Sequence, residues 1–110
     1  MNEFKGTPGP WKLLREEVDK SYIRIRGTKP GERFAVANVL TPVYDDAGER
    51  ELKETRANAQ LIAAAPELLE ALQRFYNWYD ALYGDDLNYT GEHPIAAAKA
   101  AIAKALGETK

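Results

Sequence analysis

The chain has no cysteine, a single histidine and a single methionine among its 110 residues. Without cysteine there is no disulfide framework, no thiolate nucleophile and no zinc–thiolate site, a composition compatible with a reducing cytoplasm. One histidine cannot assemble the usual nitrogen-ligand metal set. No apolar run reaches the length of a membrane span, because charged residues interrupt each one. The opening MNEFKGTPGP lacks the apolar segment of a signal peptide. Positive charge is also in short supply: 15 Lys and Arg stand against 17 Asp and Glu, a net charge of −2. A global basic field for polymeric nucleic acid is therefore missing. No glycine-rich phosphate loop is present. These gaps point away from an enzyme, from a cofactor and from a metal, and toward a soluble binding protein.

What the chain does have is a strong helical stretch over 55–72, TRANAQLIAAAPELLEAL. Leu61, Ile62, Ala65, Leu68, Leu69, Leu72, Phe75, Tyr76, Tyr79 and Leu82 recur at three- and four-residue steps, the spacing of one buried helical stripe. Tyr76 and Tyr83 fall at the edge of that stripe and Trp78 on another face. Pro66 lacks an amide hydrogen and its ring collides with the preceding turn, so the spacing predicts a break near Ala64–Ala65 and a fresh helix from Pro66 to about Tyr83. The chain turns helical from Arg50, with Thr55 an expected N-cap of the first helix or the entry several residues earlier. The small Ala63, Ala64 and Ala65 allow another backbone to come close, either the protein's own sheet or a second subunit. A last helix is expected from Pro94, capped by His93 or Glu92 and stopped at Gly107.

Three strands are expected over 11–18, 22–26 and 34–40, with a possible fourth at Val43 and Tyr44. In the second, Ile23 and Ile25 point one way and Tyr22, Arg24 and Arg26 the other. Short polar connections make the sheet an antiparallel meander. Both faces of the third strand are mostly apolar, which reads as a central strand or as one covered on both sides by helix and subunit interface. Trp11, after the Thr7-Pro8-Gly9-Pro10 turn, is an expected core anchor. The fold class is thus α+β: an N-terminal three- or four-stranded antiparallel sheet followed by a Pro-interrupted helix and a final antiparallel helix. A single domain is expected over 1–110, with leader and sheet in 1–49 and the helical part in 50–110.

The candidate site is positive. Arg24 and Arg26 share a strand face, Lys29 and Arg33 flank the next turn, and Arg56 and Asn58 lie near the start of the first helix, where free amides also favour anions. If the helix start lies over the end of the sheet, Tyr22, Arg24, Arg26, Arg56 and Asn58 converge on a phosphate, with Tyr22 stacking. Asn58 is expected to have a fixed partner. His93 reads as a cap, and Asp45-Asp46 and Asp85-Asp86 as solvated loop acids. The aromatic group Phe75, Tyr76, Trp78, Tyr79 and Tyr83 suits core packing and self-association.

Two segments carry a family resemblance. TPGPW (Thr7, Pro8, Gly9, Pro10, Trp11) and the block ANAQLIAAAPELLEAL, with Asn58, Leu61, Ile62, Pro66, Leu68 and Leu69, resemble small proteins encoded by tailed phages and prophages. The resemblance implies a phage accessory protein acting in the bacterial host cytoplasm. A small antiparallel sheet followed by helices is also similar in architecture to phage sponge proteins that defeat Thoeris immunity by sequestering a cyclic ADP-ribose signal. That likeness implies a homo-oligomer binding a small anionic nucleotide, and it transfers no site residue. The leading expectation is non-enzymatic sequestration of such a signal. The alternatives are a protein-binding inhibitor of a host defence complex, using acidic loops and Trp78 or Tyr83, and a structural or housekeeping phage protein.

Overall fold

Alternation builds the sheet. A computed structural model describes residues 3–28, 35–41, 48–83 and 93–108. The segment YIRIRG forms strand β2, Tyr22–Gly27, with Ile23 and Ile25 buried and Tyr22, Arg24 and Arg26 half-buried on the other side. It lies between β1, Trp11–Leu13, and β3, Ala35–Leu40, in a three-stranded antiparallel sheet of order β1-β2-β3. The middle strand is therefore β2, and among the described strands β3 is an edge, which removes the central position its apolar composition suggested and leaves the alternative of a strand covered on both sides. In register, Lys12 faces Arg26, Leu13 faces Ile25, Arg24 faces Asn38 and Tyr22 faces Leu40. β1 is shorter than the alternation predicted. One further bond, from Leu14 N–H to the Arg24 carbonyl at 3.0 Å, prolongs the pairing, and Val18 is fully exposed. The expected strand at Val43 and Tyr44 lies outside the described residues, as do Phe34, Lys29 and Arg33.

Three helices follow: α1, Glu49–Ala63; α2, Ala65–Tyr83; and α3, Pro94–Ala105. Helix α1 begins at Gly48 with no side-chain cap. Thr55, expected as the N-cap, lies well inside α1, and its hydroxyl donates to the Glu51 carbonyl at 3.0 Å. A Ser or Thr hydroxyl satisfied by the previous turn is common in helix interiors; the helical character from Arg50 matches the start of α1, and only the cap at Thr55 does not. The break falls at Ala64, and Pro66 sits in the first turn of α2, where its missing amide hydrogen costs nothing. His93 caps α3, its Nδ1 accepting the Ile95 N–H at 3.1 Å. At the other end Gly107 adopts φ +76°, and Glu108 N–H bonds the Ala103 carbonyl at 2.8 Å while Gly107 N–H bonds Lys104 at 3.1 Å. This is the Schellman closure that favours glycine.

By contacts the chain forms two compact units, Gly6–Glu67 and Met1–Lys5 with Leu68–Lys110. In the first, α1 packs on all three strands and buries Ile23, Ile25 and Ala59. In the second, Tyr76, Ile95 and Ile102 form the core, with Leu69, Leu72, Tyr79, Ala98 and Leu106 packed around them. The predicted single stripe of α2 is thus divided. Tyr76, expected at its edge, is buried, whereas Leu68, Phe75 and Leu82, expected inside, are exposed. No described helix is long and apolar enough to cross a membrane.

Candidate functional site

Successive side chains of a strand point to opposite faces. Since α1 covers the Ile23 and Ile25 side, Tyr22, Arg24 and Arg26 occupy the other, outer face of the sheet. Their cross-strand neighbours add Lys12 from β1 and Asn38 from β3 to that face. Arg26 is held by the carbonyls of Ile25, at 3.0 Å, and Ala37, at 3.4 Å, and by Asn38 Oδ1 at 3.2 Å. Arg24 reaches Glu17 at 3.1 Å. Lys20 also reaches Glu17, at 3.5 Å, and lies 5.9 Å from the centroid of the Tyr22 ring. Four cations, one carboxylate, one amide and one aromatic ring therefore gather around β2.

Arg56 and Asn58 do not join them. Arg56 lies on the α1 side of the sheet and grips Glu16, its Nε 2.8 Å from one carboxylate oxygen and its Nη2 3.4 Å from the other. It lines a small cleft of about 220 Å³ with Leu13, Leu14, Ile23 and Gln60. Asn58 is exposed on α1, and among the described residues no side-chain partner holds its amide, contrary to the fixed partner expected of it. The reason for the separation is simple. The helix start does not cap the end of the sheet; α1 lies across its inner face, so strand residues of odd and even number meet different surroundings. Glu16 and Glu17 follow the same alternation, one carboxylate serving Arg56 and the next serving Arg24.

One further feature had only the small alanines at 63–65 as its signal in the sequence. An open, largely apolar groove of about 470 Å³ runs between β1 and α1, bounded by Pro10, Trp11, Leu13, Gln60, Ala63 and Ala64. The small alanines thus face the protein's own edge strand. Trp11 is only half-buried here; its Nε1–H donates to the Thr7 carbonyl at 3.0 Å. Only the pairing of two segments some fifty residues apart reveals the groove. Among the described residues no three His, Cys, Asp or Glu side chains come together to hold a metal.

Against known proteins, the family described as Salmonella phage P22 protein Y8K6 matches residues 1–109, and the chain belongs to that phage protein family. No curated protein and no solved structure gives a significant match.

Proposed function

With membership of a phage family as the premise, we propose that the protein is a non-enzymatic counter-defence factor that sequesters a phosphorylated, nucleotide-derived immune signal, of the cyclic nucleotide or cyclic ADP-ribose type. The observation that supports this reading is the outer face of β2, where Arg24, Arg26 and Tyr22 stand together beside Lys12 and Asn38. Guanidinium groups bind phosphate in a planar, bidentate fashion, and a neighbouring tyrosine ring offers a base a stacking surface. The Glu17 carboxylate on Arg24 is no barrier. Exposed ion pairs are worth about 0–1 kcal/mol, so releasing Glu17 from Arg24 costs an incoming phosphodiester little. Arg56 and Asn58 play no part in this version of the site, because they lie on α1.

Isothermal titration against a panel of cyclic nucleotides and cyclic ADP-ribose isomers tests the reading. Saturable heat is expected with one of them, weakened at least tenfold by Arg24→Glu and by Arg26→Glu. Absence of heat across the panel removes the nucleotide. Recovery of a host polypeptide in its place, lost in the same variants, moves the face to protein recognition.

A further inference from the structure

We propose that the exposed ridge of α2 is the surface on which two copies of this chain pair, side by side and antiparallel. The inference is independent of the nucleotide reading, since every residue it uses lies on α2. Apolar positions occupy about half the circumference of this helix, taking 100° per residue. Leu69, Leu72, Tyr76 and Tyr79 fill the half that meets the Ile95 and Ile102 core. The other half, Leu68, Ala71, Phe75, Trp78 and Leu82, steps by three, four, three and four residues, the a/d repeat of a coiled-coil seam. Its large members remain 53% (Leu68), 53% (Phe75), 57% (Trp78) and 53% (Leu82) exposed. Phe75 and Trp78 already lie against each other, with ring centroids 6.0 Å apart.

Two observations select a second copy as the occupant. The first is charge. Glu67 and Arg74 flank the seam on its polar side, seven residues apart, and Arg74 also reaches Glu70 of its own helix at 3.3 Å, a largely exposed pair that leaves the guanidinium open to a second carboxylate. An antiparallel approach about a two-fold axis near Ala71 brings Glu67 opposite Arg74 of the second copy, and Arg74 opposite Glu67 of that copy. It also sets the small Ala71 opposite Ala71 of the second copy, so the two helices come closest at the axis. The second is area. The ridge presents roughly 300–500 Å² of apolar surface, counted as about half of the ~150–250 Å² that each of its four large side chains can offer in full. A standard interface takes about 800 Å² from each partner, so the ridge supplies its centre, and Glu67 and Arg74 part of a polar rim. A two-fold pairing of identical surfaces is the commonest form of association among soluble proteins.

Sedimentation equilibrium of the full chain, with circular dichroism as a control on folding, decides the matter. The unmodified protein is expected at dimer mass. Phe75→Glu with Trp78→Glu should give a monomer of unchanged helix content, its dimerisation weakened at least a hundredfold. Because these side chains are exposed, the fold does not depend on them. Glu67→Arg alone, or Arg74→Glu alone, should weaken association about tenfold, since symmetry breaks two exposed pairs at once. The double exchange Glu67→Arg with Arg74→Glu should restore it. A monomer up to millimolar concentration overturns the proposal, as does a dimer indifferent to the Phe75 and Trp78 changes. Failure of the double exchange to restore what each single change lost overturns the antiparallel register. A monomer that still binds a nucleotide would sink this inference and leave the proposed function standing.

Discussion

Gly9 lies so close to Pro66 that a side chain cannot fit between them. A Cβ at position 9 would stand 2.6 Å from Pro66 Cβ and 3.2 Å from its Cγ. The turn before β1 and the first turn of α2 are thereby clamped together at this point. Gly9→Ala should therefore destabilise by about 1–3 kcal/mol, the usual cost of forcing an atom into a filled contact. A lowered melting temperature checks this. Pro66→Ala keeps the offending Cβ and should not rescue it.

Trp11 tests the same corner from the other side. Trp11→Phe keeps most of the ring but deletes the donor to the Thr7 carbonyl. The loss expected is about 0.5–1.5 kcal/mol, the net worth of one such bond, read from denaturant unfolding.

Burial separates two isoleucines from their neighbours. Ile25 and Ile102 are both fully buried, one in each unit. Truncation to alanine should cost about 2–5 kcal/mol at either position. Leu68→Ala or Leu82→Ala, exposed on α2, should change the melting temperature of the isolated chain far less. Equal effects at buried and exposed sites would contradict the division of the α2 stripe.

The ends of α3 make a matched pair of predictions. His93→Ala removes the acceptor for the Ile95 N–H and should cost about 0.5–2 kcal/mol, with His93→Asp retaining most of the cap. Gly107→Ala forces a side chain onto φ +76° and should cost about 1 kcal/mol. Amide exchange at the two helix ends would report each loss locally.

Arg56→Ala, by contrast, should be nearly silent. Its pair with Glu16 has good geometry, but the two side chains are 50% and 43% exposed, and such pairs contribute about 0–1 kcal/mol. A large loss of stability would mean that Arg56 does more than hold this carboxylate.

Local chemistry was the legible part. The alternation of Tyr22, Ile23, Arg24, Ile25 and Arg26 declares both the strand and its two faces; Pro66 and Gly107 mark helix ends through their backbone properties, and His93 through the acceptor on its ring. What could not be read is what depends on distant partners. Glu16 and Arg56 are forty residues apart in sequence, and nothing local says that they meet. Register is equally silent: Lys12 and Asn38 join the arginine face only because of how β1 and β3 pair with β2. On α2, apolar residues cover so much of the helix that periodicity could not say which half the core takes. Placing all five site residues together assumed a helix over the sheet's end, and α1 across its face undoes that convergence.

The carboxylate already seated on Arg24 has a consequence for how any ligand would arrive. A newcomer does not dock onto a bare cation; it evicts Glu17, whose freed charge then sits beside the complex and shares Lys20 with it. Binding on this face is an exchange of one anion for another. Added salt weakens the outgoing contact together with the incoming one, so affinity should fall with ionic strength more gently than the number of arginines would suggest.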